Sequence, residues 1–535
     1  MASDPRAAQE NRPLTPRQPV YARDSLLACE NPLAAALGLD VLRDGGNAID
    51  AGLAISAAIG VLKPSSSHIG GEAFLHVYWA QDQSLTILNA SGPAPRSTVV
   101  ESYGEQIPQT GPAVCTVPTL VAAWEAAHKR WASRPLADLL QPAIRYAREG
   151  FPASNDLAWM CSVVAPQLAR FPASAALYLT DGQPLRPGQV LVQADLARTL
   201  ESIAKEGPQA FYHGDIAERM TRAIARDGGF LSTDDLAEYQ PEFLEPVVTT
   251  YRGYTVTEQP PNSQGYLVLA ALNILEPFDL AVLWRNKPAE AVHLMAEAMR
   301  VCLEERRLYS GDPRFVDMPV EMLVSKEHAD DLRRKMANGA PAIAEPASRG
   351  GDTTCFVVAD RWGNVVTWIQ SVFTLFGSCY VAGDTGVLLN NRCIGFTLEE
   401  GHPNRMAPGK RPLHTLNTYM LLRDGAPVIA GGSPGGEQQV QTNLQVLVNL
   451  IDLGMDPQRA IDAPRWGYTP GAGLKLERRF AEEVVSQLTA LHSDVTMTGP
   501  WDGSMGRAEV IVRDPETGVL AGGSDTRGEG CVLGI

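Results

Sequence analysis

The sequence predicts an α+β protein in which sheets are sandwiched between helices. Three observations carry the prediction. Helical signals dominate from about residue 119 to 245 and return from 285 to 340. Strand signals begin abruptly at Thr353-Thr-Cys-Phe-Val-Val-Ala-Asp360, and a further helical run, Glu437 to Leu453, lies beyond them. Runs of helices before runs of strands give this class.

In chain order, residues 1–22 are polar and proline-dotted and read as a flexible N-terminal tail. Asn31-Pro32 is a helix start, a capping residue followed by proline in the first turn, and the helix runs through Leu42 to Gly45-Gly46. A second, alanine-rich helix spans about Asn47 to Leu62 and ends at Lys63-Pro64; its small residues suit close, buried packing. The run His68 to Tyr78 turns into a strand. Pro135 to Glu149, ended by Gly150, and the amphipathic run Ile216 to Arg226 are helices. The stretch Ala337 to Gly351, rich in Ala, Pro and Gly, reads as an exposed loop. Thr353 to Asp360 and Val365 to Ser371 then flank Arg361-Trp-Gly-Asn364 as a hairpin, and Gly386 to Leu389 and Thr418 to Leu422 read as further strands.

Composition excludes several functions. With 535 residues the chain holds two domains or one large multilayer domain. At 45% hydrophobic it is not disordered as a whole. Against 61 Asp+Glu stand 45 Lys+Arg, a net charge of −16 with no basic stripe, which argues against nucleic-acid binding. The start of the sequence shows no apolar signal region, and the greasiest stretch, Ala51 to Leu62, is too short to span a bilayer. Eight cysteines without a CxxC pair point to reduced thiols in the cytoplasm. Nine scattered histidines and no HExxH give no metal site, and no cofactor is expected.

The chemistry concentrates at Gly350-Gly-Asp-Thr-Thr354, where a glycine-flexible loop runs into a strand that begins with threonine. A hydroxyl there can attack the preceding carbonyl and replace the Asp352–Thr353 peptide bond by an ester. Water then opens the ester and leaves Thr353 as a new N-terminus. Its α-amine, with an ordinary pKa of about 7.7–8.0, can serve as base for its own hydroxyl. The alternative is a β-branched pair that merely starts a strand. Downstream, Gly431-x-Ser433-x-Gly435 has the form of a serine-hydrolase elbow, but Pro434 lacks the backbone N–H that the oxyanion hole requires. Gly435 and Gly436 instead can offer their N–H groups to an oxyanion; the alternative is an ordinary tight loop.

These motifs sit in a longer series: Asp44-Gly-Gly-Asn-Ala-Ile-Asp50, Ile69-Gly-Gly71, Tyr251-Arg-Gly-Tyr254, Gln259-Pro-Pro-Asn-Ser263, Gly311-Asp-Pro313, Gly351-Asp-Thr-Thr354, Gly386-Val-Leu-Leu-Asn-Asn391, Lys410-Arg-Pro412, Gly432-Ser-Pro-Gly-Gly436 and Ser524-Asp-Thr-Arg527. In this order and spacing the chain resembles the γ-glutamyltranspeptidases (glutathione hydrolases) and their acylase-like relatives, which are N-terminal nucleophile hydrolases. The resemblance implies a four-layer αββα sandwich made as a proenzyme and cut into a large subunit, 23–352 after the tail, and a small one, 353–535. It implies Thr353 as nucleophile, Asp352 and Thr353 as the processing pair, and Thr354 or Ser371 as a hydroxyl near the new amine. Gly435 and Gly436 would form the oxyanion hole.

Departures from the family pattern bear on the substrate. Ser91 stands where the family's carboxylate-binding arginine would be, and Phe373 where its amine-binding asparagine would be. Arg392 and Gly395 replace a glutamine and an aspartate, and His414-Thr415 replaces a pair of serines. A site without an anion for the glutamyl ammonium binds that group poorly. Arg392 suits a substrate carboxylate, or else is a surface arginine bracing the Glu399-Glu400 loop. His414 can orient substrate or polarise a carbonyl, or be a core histidine; Phe373 fills space beside a small substrate. Cys355 falls on the Thr353 face of its strand and reads as packing.

The expectation is a self-cleaving threonine amidohydrolase acting on an amide of a small carboxylate-bearing substrate, oxamate-like. Three alternatives remain: a glutathione hydrolase or γ-glutamyl transferase, a tailoring hydrolase of secondary metabolism, and an uncleaved proenzyme serving as a binding protein. The two subunits should stay together because strands of both share one core, and a dimer of heterodimers is plausible.

Overall fold

The computed structural model describes residues 17–337, 351–492 and 494–535. The expected loop at 337–351 lies almost entirely outside these residues, as does the tail up to residue 16.

Two seven-stranded antiparallel sheets form the centre. One runs Val20–Ala22, Leu520–Ser524, Glu509–Arg513, Ala426–Gly432, Thr418–Arg423, Tyr254–Glu258, Val247–Tyr251 from edge to edge. The other runs Cys531–Gly534, Leu26–Cys29, Asp352–Ala359, Val365–Phe373, Glu72–Trp79, Ser84–Ala90, Glu242–Leu244. Each sheet mixes strands from before and after residue 353, so neither half of the chain completes a sheet alone.

The four layers follow from the two-residue period of a strand. Along Asp352–Ala359, Val357 and Ala359 pack with Met420, Ala430 and Ile511 of the facing sheet. Phe356 and Val358 point the other way, into a core shared with the helices Pro32–Arg43 and Ala48–Leu62. A second helical layer, including Tyr266–Leu275, Pro288–Tyr309 and Gln438–Ile451, covers the other sheet through Tyr419, Leu421 and Val510. The result is the αββα sandwich.

Local chemistry explains the elements that carry the site. Asn31 caps the first of these helices by accepting from Leu33 and Ala34 N–H, with Pro32 in the first turn. Asn47 and Asp50 form a capping box for Ala48–Leu62, a helix buried on every side, as a circumference that is apolar but for Asp50 and Ser56 requires. The two helices approach closely because Gly38 has no side chain: a Cβ there would stand 2.4 Å from Ile55 Cδ1. The hairpin Asp352–Ala359/Val365–Phe373 forms in register, Ala359 opposite Val365.

Two expectations are corrected. Val20–Ala22 is not tail but an edge strand paired with Leu520–Ser524. Gly386 to Leu389 is not a strand; Leu388 and Leu389 make only single bridges, to Val381 and Gly70. Its apolar run signals burial inside a connection rather than membership of a sheet. Among the described residues no single helix is long and apolar enough to cross a membrane.

Candidate active site

The strand Asp352–Ala359 starts with an irregularity: its register with Val365–Phe373 shifts between Asp352 and Thr354. Such a bulge re-aims side chains at the end of a strand. Here it sets Thr353, 2% exposed, against Ser371. Thr353 Oγ1 donates to Ser371 Oγ at 3.2 Å, and Ser371 Oγ donates to the Asp352 carbonyl oxygen at 2.7 Å. The Phe373 N–H also donates to Ser371 Oγ, at 2.8 Å. A serine hydroxyl has one proton to give and two lone pairs, and all three are used. One hydroxyl therefore links the threonine oxygen to the carbonyl that precedes it.

Thr354 does not share this place. It lies on the opposite face, its hydroxyl donating to the Gln370 carbonyl at 3.3 Å, so of the two hydroxyls expected near the amine only Ser371 is there. Cys355 is buried near Gly432, and burial pushes its thiol well above the ordinary range, so it packs rather than reacts.

Gly435 and Gly436 close the other side, between the strand Ala426–Gly432 and the helix Gln438–Ile451. Their φ angles are +129° and +58°. A Cβ on Gly436 would stand 2.9 Å from the Gly351 nitrogen, so the loop reaches the chain ahead of Thr353 only because it is glycine. Among the described residues neither glycine N–H has a hydrogen-bond acceptor, and both sit at a helix N-terminus, which favours negative charge. Ser433 Oγ is turned onto the Pro434 carbonyl at 2.8 Å, away from a nucleophile's role.

The residues expected to contact substrate converge on a group that the sequence motifs do not include. Glu72 is paired in register with Ser371 and has no exposed surface. Its Oε1 accepts from Arg392 Nε at 2.9 Å, and its Oε2 from the Gly92 N–H at 2.8 Å and from His414 Nε2 at 3.1 Å. Burial pushes the carboxyl up, but His414, Arg392 and these donors pull it further down, so Glu72 is a carboxylate. The Leu416 N–H donates to His414 Nδ1, which fixes the ring proton on Nε2. Burial, with Arg392 nearby, pushes His414 down to about 4, and the ring is neutral at neutral pH.

Arg392 is thus no surface arginine; Glu399 pairs with Arg307 instead. Nor is its charge free for a substrate carboxylate, since Glu72 already balances it. Its guanidinium lies 4.0 Å over the Phe373 ring, and Nη1 reaches Thr415 Oγ1 at 3.4 Å, a weak contact. Nη2 is buried without a partner among the described residues. Phe373 holds φ at +86°, a strained value for a bulky side chain. Ser91 is buried and bonded to Asn89 and Asn262.

A lone Glu within the apolar run His68 to Tyr78, in a chain with an unmatched Arg392, is the sequence signal that could have found Glu72. The geometry suits acyl transfer: a shielded hydroxyl, a carbonyl within its hydrogen-bond chain, and unengaged N–H groups alongside.

Comparison with known proteins agrees. The family described as Gamma-glutamyltranspeptidase matches residues 34–535. A Bacillus subtilis (strain 168) protein described as a glutathione hydrolase-like YwrD proenzyme is 38% identical, covering 96% of this chain and 99% of its own. An oxamate amidohydrolase proenzyme of Klebsiella pneumoniae is 33% identical over 94% of this chain and 97% of its own. The crystal structure of a cephalosporin acylase from Bacillus halodurans superposes with a TM-score of 0.91 at 35% identity, covering 100% of this chain and 99% of that one. A match of this length, on a four-layer sandwich with a threonine at the head of a central strand, means that the chain belongs to the γ-glutamyltranspeptidase family, as an N-terminal nucleophile amidohydrolase made as a self-processing proenzyme.

Proposed function

We propose that Thr353 is the nucleophile, that the chain is cut between Asp352 and Thr353 into 1–352 and 353–535, and that the mature enzyme hydrolyses the amide of a compact, carboxylate-bearing substrate, the class to which oxamate belongs. The observation that carries this reading is the chain from Thr353 Oγ1 through Ser371 Oγ to the Asp352 carbonyl. In maturation Thr353 Oγ1 bonds to the Asp352 carbonyl carbon while Ser371 polarises its oxygen. The C–N bond breaks, the hydroxyl proton ends on the departing nitrogen, and water hydrolyses the ester. The freed α-amine is then the base for each later attack. The Gly435 and Gly436 N–H groups take the oxyanion. The leaving amine carries away one proton, and water returns the acyl group as a carboxylic acid.

Arg392 Nη2 is an unengaged donor beside Phe373 and Thr415, and a buried donor without a partner favours a ligand that supplies an oxygen. Around it lie Phe373, Thr415 and the neutral His414, and Glu72, the carboxylate that it pairs with among the described residues, is already engaged on three sides and poorly placed for an ammonium. This favours a small acid amide over a γ-glutamyl group. Eight free thiols, seven of them buried, support a cytoplasmic address. The two fragments stay associated, each sheet needing both.

The test is turnover by processed protein of oxamate, of simple acid amides, and of glutathione and a γ-glutamyl anilide. Preference for the acid amides supports the reading. Faster hydrolysis of the γ-glutamyl compounds replaces it with a glutathione hydrolase. Ser371→Ala is expected to slow both maturation and turnover by about 10–100-fold, the range for losing one hydrogen bond to a developing charge, with Ser371→Thr close to wild type because it keeps the hydroxyl. The half-time of conversion, followed by intact mass, measures this.

A further inference from the structure

Asp352, the residue ahead of the nucleophile, is held by its side chain as well as by its backbone. Its carboxylate is buried: Oδ2 accepts from Ser66 Oγ at 2.5 Å, and Oδ1 accepts from the Thr353 N–H at 2.9 Å and from Arg507 Nη2. Arg507 comes from the opposite sheet, two residues before the strand Glu509–Arg513, and is itself buried. Glu30 stands 3.7 Å and Asp156 3.8 Å from its guanidinium, and Lys63 pairs with Glu30 at 3.2 Å. Two cations therefore face three carboxylates, of which Asp352 is the one on the segment that maturation cuts.

The chemistry of maturation gives this carboxylate a meaning. The shift from nitrogen to oxygen yields an ester in which Thr353 Oγ1 carries the acyl group of Asp352 and the α-amine is free. An acyl-enzyme made from any substrate is the same species with another acyl group. Hydrolysis of the maturation ester is thus the first deacylation that the site performs, and what holds the Asp352 side chain marks where an acyl substituent lies. Once the cut end withdraws, Arg507 Nη2 and Ser66 Oγ lose the acceptor they share, while Glu30 and Asp156 stay at 3.7 and 3.8 Å from the other guanidinium nitrogens. Two buried donors left side by side without their acceptor favour a carboxylate in the place that Asp352 vacates.

We propose that Arg507 and Ser66 form the acyl-carboxylate subsite of the mature enzyme, and that it accepts acyl groups whose carboxylate lies two carbons from the reacting carbonyl, as in aspartate: succinyl-type monoamides of four-carbon dicarboxylic acids. This rests on Thr353 as the nucleophile and deepens the substrate class by fixing the distance between amide and acid. Arg392 remains the donor for a second oxygen, because Glu72 still holds its Nε, whereas Arg507 Nη2 gives up its acceptor when Asp352 leaves.

The test uses processed wild-type protein and p-nitroanilides of matched acyl groups: succinyl, butyryl (equal length, uncharged), malonyl and glutaryl, with oxamate alongside. Succinyl is expected to exceed butyryl by about 10–100-fold in kcat/KM, the range for a hydrogen bond to a charged group, and to exceed the shorter and longer acids. Arg507→Gln should lower succinyl far more than butyryl and bring the two rates together. Ser66→Ala should raise KM for succinyl alone. Because Arg507 also holds Asp352, its variant can fail to mature; Ser66→Ala, and competitive inhibition of the wild type by succinate but not butyrate, then give the readout. Equal succinyl and butyryl rates, a preference for malonyl, glutaryl or oxamate, or equal loss on both substrates in Arg507→Gln overturns the subsite and leaves the nucleophile standing. A chain that stays whole and turns over no amide removes the nucleophile, and the subsite with it.

Discussion

Thr353→Ala is expected to give one 535-residue species under denaturing conditions, and the wild type fragments of 352 and 183 residues. The same variant should lose at least ~10⁴-fold in kcat/KM on any amide that the wild type hydrolyses, since no oxygen remains to carry the acyl group. Both losses trace to one atom. Thr353 Oγ1 is buried, with Ser371 linking it to the Asp352 carbonyl, and in the proposed mechanism it attacks that carbonyl in maturation and the substrate after cleavage. Thr353→Ser keeps the oxygen but frees the side chain from the rotamer restriction of a branched Cβ, so it should mature slowly and retain partial activity. Intact mass and an amide assay on the same preparations decide the matter. Fragments from the Ala variant, or a break anywhere other than before residue 353, would transfer the nucleophile to another residue.

The strands around this oxygen are legible in the sequence because their residues are β-branched or aromatic and the hairpin turn carries glycine. The helices at Asn31 and Asn47 are legible because caps are local chemistry. Val20–Ala22 is not: a three-residue edge strand flanked by polar sequence has no period to read, and only its partner at Leu520–Ser524 defines it. Thr353, Ser371, Gly435 and Gly436 stand out because they repeat a recognisable pattern. Of the two alternatives for the hydroxyl near the amine, Thr354 conflicts with the period of a strand, in which neighbouring residues face opposite ways, and Ser371 does not. Arg392 is visible, but its meaning depends on Glu72, which lies 320 positions away in the chain. Arg507 belongs to no motif, because its importance comes from facing Asp352 across two sheets. Pairings between distant charges are what local sequence reasoning cannot supply.

Glu72 is accordingly the position outside the nucleophile where a change should matter most. Glu72→Leu leaves the Arg392 guanidinium buried with no counter-charge, and it strips an acceptor from both His414 and the Gly92 N–H. Breaking one side of a buried pair costs about 3–5 kcal/mol, to be read from denaturant unfolding. Removing both charges, in Glu72→Leu/Arg392→Met, should recover most of that loss, because an apolar pair of similar volume does not carry the desolvation penalty of two ions. Turnover should not recover with it, since the unengaged Nη2 is gone; stability restored without activity separates a substrate donor from a structural ion pair. The pH dependence follows from the same cluster. His414 titrates near 4 in the fold and about 6.5 unfolded, so its contribution is complete above 6.5 and is lost as pH falls through 4. That amounts to about 3 kcal/mol. Glu72, held below the usual carboxylate range, adds a loss of the same sign below its ordinary value of 4.5. Buried His68 and His76, both pushed down to about 3, act in the same direction. His414→Gln should therefore flatten the fall in Tm between pH 6.5 and 4 without abolishing it. An unchanged slope would mean that the ring is charged in the fold and that Glu72 binds a cation on each side.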